Sequence, residues 1–525
     1  MNISSKAYPA SAHVTRLPVQ QTPPLASASR IGWLLFALGA AFRILSFFVS
    51  ANSGGDASAR VALTALWLQH PTFKLIFDAY PPGHFWLIGL FALLFHDVTL
   101  AGRLLSLFLG VASLFFLWKL TEKLFGERAG LLALAVFVFF SMHIGYSTTS
   151  SAEVSYAFFL LLALYFFFSY YTVSPQLWRL GIAGLALSIG ESIRYEAWII
   201  CFGMGIICLW FALKPPLPSS DRTRVWSVLI FAISAGAWPL GWMAYCWHRF
   251  GDPLYQITDT HKRVAILLAK QPQSHAYEVF LIPAVLLLAL SPFAVGAAFY
   301  GAKRWFRSSA SAAFVMLTAF FATVQFSEIA RGEVVAVARY AMTLGIFVAV
   351  LSGPGFEAIG ERLWPRMPGR VFVLVLVLLS VNLSSVLVLS ELKNPIREKI
   401  ASISPRLRYP DRIAGVSGYL RQHLKPQDRV MFDDYNVESN ILAAASGFPP
   451  IYGDRAYLAG VKSAQTPEEY LQNEHPRFLV YSDRGVLRDW KDLPQSCGTV
   501  TDPSATLRCV YANNFYRIYE LTYQR

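Results

Sequence analysis

Four short segments of this chain set carboxylates and guanidinium groups beside long apolar runs. The first reads Ser53-Gly-Gly-Asp56-Ala-Ser-Ala-Arg60, and after an amphipathic stretch comes Tyr80-Pro-Pro-Gly-His84-Phe-Trp86. The second, Gly145-Tyr-Ser-Thr-Thr-Ser-Ser-Ala-Glu153, leads straight into a strongly apolar helix. The third, Gly190-Glu-Ser-Ile-Arg194-Tyr195-Glu196-Ala-Trp198, places charges between two apolar stretches with almost no loop. The fourth is Glu328-Ile-Ala-Arg331-Gly-Glu333, followed by Arg339-Tyr340. A carboxylate within hydrogen-bond reach can take a proton from an acceptor hydroxyl. A guanidinium can grip a phosphate through paired hydrogen bonds.

Each segment also has a plainer reading. Asp56 can be a solvated loop aspartate, and Glu153 a first-turn carboxylate favoured by the helix dipole. Arg194 can form an internal ion pair between two helices, since charge this close to the membrane core is costly unless it faces a polar cavity. Arg331 and Arg339 can anchor span ends at the interface. No Walker loop, zinc triad or nucleophile–histidine pair is present. Asp433-Asp434 looks like a metal-binding pair but reads as the end of a strand.

The elements that position these segments are membrane helices. The chain is 55% hydrophobic and 15% charged, against roughly 25% charged in soluble domains. Forty Phe, fourteen Trp and twenty-four Tyr suit helices that meet lipid and its interfaces. Apolar runs of crossing length, about 20 residues, fall near 31–50, 102–118, 129–145, 154–172, 180–193 and 197–213. Others lie near 226–247, 277–301, 309–327, 339–357 and 371–390, so about eleven transmembrane helices are expected. The net charge of +13 is that of basic loops, not of a nucleic-acid surface, because no dense basic run with interleaved aromatics occurs.

The apolar stretch 82–96 is short, and whether it crosses decides the side of every later loop. Taken as interfacial, it leaves Lys119, Lys123 and Arg128, Arg179, Lys214, Arg222 and Arg224, Lys303, Arg304 and Arg307, and Arg362, Arg366 and Arg370 on one side. That series obeys the positive-inside rule; a full span there would put the basic loops outside. Loops 53–70, 146–153, 248–273 and 328–339 then share the outer face with the C-terminal tail. All four chemically interesting segments fall on that face.

Residues 1–30 read as a disordered cytoplasmic lead, 31–390 as the membrane domain with a first outer loop at 51–101, and 391–525 as an extracytoplasmic α/β domain. Strands are expected around Arg429–Phe432 and Arg477–Tyr481, and a helix over Glu438–Ala445. Cys201, Cys208 and Cys246 sit in apolar segments as packing residues. Cys497 and Cys509 lie in the tail, where an oxidising compartment would allow a disulfide.

In order along the chain, Asp56, Tyr80-Pro-Pro-Gly-His-Phe-Trp86, Arg103-Leu-Leu-Ser106, Lys123-Leu-Phe-Gly126, Ser147–Glu153, Arg194-Tyr-Glu-Ala-Trp198 and Arg339-Tyr340 resemble membrane glycosyltransferases of the GT-C fold. The branch it resembles most is that of the dolichyl- or polyprenyl-phosphate-sugar-dependent protein mannosyltransferases and lipid A aminoarabinose transferases. The resemblance covers roughly residues 31–390. It departs where Ala57 follows Asp56 in place of a second acid, where Glu153 replaces the commoner Asp, and where Gly83 stands for a frequent Leu.

What the resemblance implies is a polytopic α-helical bundle that moves a sugar from a polyprenyl-phosphate donor to a glycan, lipid or protein acceptor at the outer face. Asp56 is then the base or acceptor orienter, and Glu153 supports positioning. Arg194, Arg331 and Arg339 are phosphate-binding candidates, and Arg60, Tyr80, His84, Tyr195, Glu196 and Tyr340 are further substrate-binding candidates. No cofactor is required, and a divalent metal is left open. The expected setting is the lipid bilayer of a bacterial inner membrane, with the N-terminus cytoplasmic and the C-terminus outside. A flippase or transporter of lipid-linked glycans is the rival reading. It would need polar residues continued through the mid-membrane helices.

Overall fold

The computed structural model describes residues 26–52, 54–69, 71, 81–95, 97–269, 275–334, 336–363, 371, 374–382, 409–425, 427–432, 441–443, 445–446, 471–473, 475–482, 497–501 and 505–523. The chain opens with α1 (Ala26–Val49), α2 (Gly55–Gln69), α3 (Gly83–Phe95), α4 (Val98–Phe125), α5 (Glu127–Val138) and α6 (Ser141–Tyr146). Then come α7 (Ala152–Thr172), α8 (Leu177–Ile193), α9 (Glu196–Leu213), α10 (Asp221–Phe250) and α11 (Tyr255–Ala269). A 3-10 turn (His275–Phe280) precedes α12 (Leu281–Leu290), α13 (Pro292–Tyr300), α14 (Ala302–Trp305) and α15 (Ser309–Ala330), and a second (Ala338–Tyr340) precedes α16 (Ala341–Leu363).

Local sequence sets many of these boundaries. Asp97 caps α4 by accepting the Leu100 N–H at 2.9 Å, which satisfies one orphan donor of the first turn. Gly126, at φ 103°, lets the chain reverse into α5 in a conformation that side chains rarely adopt. Ser220 caps α10 in the same way, and Gly251 ends it in the left-handed region.

Among the described residues, seven helices are long and apolar enough to cross a bilayer: α1, α4, α7, α9, α10, α15 and α16. The pair α12–α13 makes an eighth if counted as one span, although it bends by 105°. The bend sits at Ser291, whose φ is 90° and whose hydroxyl caps α13 just before Pro292. The expected spans at 129–145 and 180–193 correspond to α5 with α6, and to α8. The first is broken between Val138 and Ser141, and α8 has 17 residues. Of 371–390, residues 371 and 374–382 are described and helical. The chain is a multi-pass membrane protein.

The bundle core centres on α5, buried at every position from Ala129 to Val138. A helix apolar all round is stable only when neighbours enclose it; here α1, α4 and α16 pack around it. Lipid-facing stripes remain on the periphery, as at Leu34, Leu45 and Phe48 of α1. α3 is 13 residues long, about 20 Å, short of the roughly 30 Å hydrocarbon core. Gly83 opens α3 against the end of α8, where a Cβ would overlap the Ser192 side chain. The Gly that departs from the resembled pattern is therefore what lets α3 approach α8.

The C-terminal region pairs α17 (Asp411–His423) with a five-stranded sheet. Its strands are β1 (Val430–Phe432), β2 (Phe478–Ser482), β3 (Thr499–Thr501), β4 (Ala505–Ala512) and β5 (Tyr516–Tyr523), in the order β1-β2-β5-β4-β3. β1 and β2 are parallel and the other pairings antiparallel. Successive side chains of a strand face opposite ways. Phe478 and Val480 accordingly pack with Ile413, Val416 and Leu420 of α17, while Leu479 and Tyr481 join Leu507 and Leu521 on the other face. Both expected strands are present. Of the expected helix 438–445, residues 441–443 and 445 are described and helical. Asp433 and Asp434 lie outside the described residues.

Cys497 and Cys509 form a disulfide with Cα atoms 5.2 Å apart. Tyr409, just before α17, lies beside the Asn52 backbone and Arg103, so the start of the tail rests on the first loop.

Candidate active site

Four segments separated by up to nearly 290 residues of chain converge at one end of the bundle. Asp56, in the first turn of α2, is ion-paired with Arg339 of the second 3-10 turn. Arg194 ends α8 in extended conformation, and the chain turns at once into α9. From there Arg194 donates from Nη1 to Glu153 Oε1 at 2.6 Å, from Nε to Glu196 Oε2 at 2.7 Å, and from Nη2 to Glu196 Oε1 at 2.6 Å. Glu153 is in the first turn of α7, so its carboxylate also meets the positive end of that helix dipole.

Tyr340 joins the two ion-paired sets. The guanidinium carbons of Arg194 and Arg339 each lie 5.7 Å from its ring centroid, within cation–π range. Its carbonyl accepts a hydrogen bond from Gln325 Nε2 of α15 at 2.7 Å. Beneath the cluster the buried hydroxyl of Tyr156 accepts from Thr343 at 3.4 Å. Burial opposes the charge of Arg194, but the Glu196 and Glu153 carboxylates overcome it and hold the guanidinium well above its usual range. One cation thus faces two carboxylates there, whereas Arg339 has a fuller share of exposure and is paired with Asp56.

The remaining candidates lie around this centre. Arg331 pairs with Glu333 at 2.9 Å on the exposed rim. The Tyr195 hydroxyl donates to Gln256 Oε1 of α11, and Gln256 also accepts from Trp242 Nε1 at 3.2 Å. His84 is fully buried, with Nε2 3.1 Å from the Ser150 carbonyl. Burial, with Arg60 nearby, pushes this imidazole down to about 3, so it is neutral at physiological pH. Its contact is with the 147–151 turn that precedes Glu153, as is that of Asn52, whose Oδ1 accepts the Ser150 N–H at 3.3 Å. Arg60 is buried one turn after Asp56 on α2. Tyr80 lies outside the described residues.

Two further arginines hold the site's segments together: Arg103, part of the Arg103-Leu-Leu-Ser106 motif, and Arg43, which the candidate segments do not include. Arg103 donates to the carbonyls of Thr148 (2.7 Å), Phe47 (2.6 Å) and Ser50 (3.2 Å). It thereby ties the end of α1 to the turn before α7. Arg43, wholly buried in α1, contacts Gly39 O at 3.0 Å, Phe137 O at 3.3 Å and His143 Nδ1 at 2.9 Å. An arginine inside an apolar span is a signal readable in sequence. Gln325, a single amide near the end of an apolar span, was the other available hint. Among the described residues, no group of three or more His, Cys, Asp or Glu is arranged to hold a metal ion.

This fold, with acidic loop ends and arginines gathered at one end of a broken-helix bundle, is the GT-C fold of membrane glycosyltransferases. Residues 79–239 match the family model of dolichyl-phosphate-mannose-protein mannosyltransferases. ArnT from Cupriavidus metallidurans, solved bound to undecaprenyl phosphate, superposes with a TM-score of 0.65 at 12% identity, covering 94% of this chain and 98% of that one. The archaeal oligosaccharyltransferase AglB from Archaeoglobus fulgidus, solved with an inhibitory peptide and a dolichol-phosphate, gives 0.51 at 14% identity, covering 87% and 69%. No curated protein matches the chain in sequence.

Proposed function

We propose that this protein is a glycosyltransferase that moves a sugar from a polyprenyl-phosphate donor to an acceptor hydroxyl on a glycan, lipid or protein at the outer face of the membrane. The observation that carries this reading is the meeting of Asp56 and Glu153 with Arg194 and Arg339 around Tyr340. The acceptor oxygen attacks the anomeric carbon, the bond from that carbon to the phosphate oxygen breaks, and polyprenyl phosphate departs. Asp56 takes the acceptor proton, a step that requires hydrogen-bond reach. Arg339 and Arg194 meet the negative charge that grows on the departing phosphate. Glu153 and Glu196 hold Arg194 in place, and Arg331 guides the phosphate at the rim.

The outward orientation is supported by the basic series of loops and by the Cys497–Cys509 disulfide, which persists in an oxidising compartment and not in the cytosol. A bacterial inner membrane, with the N-terminus inside, fits both. In reconstituted vesicles Asp56→Asn is expected to abolish sugar transfer while the folded protein persists; undiminished transfer removes Asp56 from its role. Reporter fusions at Pro215 or Asp221 should report the side opposite to one at the C-terminus. The same side for both overturns the orientation.

A further inference from the structure

The site holds its catalytic candidate in an ion pair. Asp56 and Arg339 are bonded to each other, and Arg194 is already committed to two carboxylates. A donor phosphate at either of these two arginines therefore competes with a carboxylate for the guanidinium. The two arginines differ in how easily that can happen. Arg194 is 10% exposed and makes three charge-assisted bonds to Glu153 and Glu196, with Glu196 gripping it through a two-point fork. Arg339 is 30% exposed and Asp56 26%, and the pair sits where α2 meets the turn before α16. A phosphate offers the planar guanidinium the same paired acceptor geometry as a carboxylate, so exchange at Arg339 costs little.

Resting on the glycosyltransferase reading above, we infer that Arg339 is a shared partner, held by Asp56 in the empty site and transferred to the donor phosphate on binding. Arg339 would then be a positioning residue that sets the order of events. Asp56 becomes available to an acceptor proton only once the donor has taken Arg339. With no donor present, the base stays paired, and an acceptor hydroxyl arriving first meets a carboxylate already engaged. Tyr340 gives the moving guanidinium a fixed surface, since both arginines lie 5.7 Å from its ring. Through that ring Arg339 can slide from carboxylate to phosphate without losing its cation–π contact.

This exchange makes an uncommon demand: removal of the catalytic base should improve donor binding. The probe is radiolabelled undecaprenyl phosphate, with neutral undecaprenol as control, binding to the full chain in nanodiscs. Asp56→Asn frees Arg339 and should bind undecaprenyl phosphate about tenfold more tightly than wild type, the scale of one competing charge-assisted contact. Arg339→Gln should bind it more weakly, Arg339→Lys should fall between, and Asp56→Asn in the Arg339→Gln background should give no tightening. Unchanged or weakened binding by Asp56→Asn overturns the exchange. So does equal tightening in the Arg339→Gln background, which would show direct repulsion between Asp56 and phosphate. If wild type prefers neither lipid, the donor assignment itself fails, a result distinct from both.

Discussion

Arg194 offers the sharpest test of how the site is held together. Its guanidinium is 10% exposed, between carboxylates 5% and 16% exposed. Arg194→Gln would leave two buried carboxylates facing each other without their cation. Breaking a buried pair by removing one partner costs about 3–5 kcal/mol, because the remaining charge stays desolvated. Arg194→Lys should cost less but more than nothing, since an ammonium cannot reproduce the fork to Glu196 and the bond to Glu153 together. Replacing all three residues with neutral ones (Arg194→Gln, Glu153→Gln, Glu196→Gln) should recover much of the loss, because no uncompensated charge remains.

The bundle carries its own reporter of unfolding. Cys208 and Cys246 are buried free thiols and Cys201 is half-buried, so a thiol-reactive dye reports opening of the helices as the purified chain is heated in mild detergent. The expected order of midpoints is wild type, triple variant, Arg194→Lys, Arg194→Gln. A midpoint for Arg194→Gln equal to wild type, or a triple variant no better than Arg194→Gln, would refute the view that this charged set is a buried, mutually compensating group.

Three further predictions concern other parts of the molecule. Gly83→Leu, which restores the residue common in the resembled enzymes, should destabilise this chain by about 1–3 kcal/mol through overpacking against Ser192; Ser192→Gly should recover part of the loss in the same dye assay. Peptide mapping without reductant should find Cys497 linked to Cys509; free, alkylated thiols at both positions would contradict the pairing and the outer placement of the tail. The third concerns acid. Glu520 is held below its usual range by Arg508 and Arg477, and Asp428 by the Lys425 N–H and Arg477 in spite of burial. Groups depressed in the folded state stabilise above their unfolded values, near 4, and that stability is lost as pH falls through the folded ones. Glu520→Gln should therefore weaken hydrogen-exchange protection of β2 and β5 at pH 7, by about 1 kcal/mol or less for such partly exposed pairs, and make little difference near pH 3. An equal effect at both values would rule out the linkage.

Much of this architecture was legible in the chain. Hydropathy marks the apolar helices, and the short apolar runs of the tail become β1 and β2, buried on both faces. The four polar segments could be assigned to one end from loop charge alone, and the structure brings them within contact. What could not be read was partnership. Arg194 could be read as an ion-pair residue or a phosphate ligand, because spacing does not say which carboxylate a long side chain will reach; Glu153 lies 41 residues away. The break at Ser291 was signalled by the Ser-Pro pair, yet a hydropathy window counts residues and does not see a change of direction. His84 illustrates the limit from the other side. A histidine after Pro-Pro-Gly invites a ligand role, but its ring is enclosed and turned to the Ser150 carbonyl, a contact set by packing between segments far apart in sequence.

The proposed reaction makes a glycosidic bond at the expense of a sugar–phosphate bond. The direct measurement is a mass balance on the full chain in proteoliposomes supplied with a doubly labelled polyprenyl-phosphate sugar and an envelope extract as acceptor. A new glycoside and free polyprenyl phosphate should appear in equal amounts, both dependent on Asp56. Movement of intact labelled lipid between leaflets, with no glycoside formed, would contradict that reaction and identify the protein as a carrier.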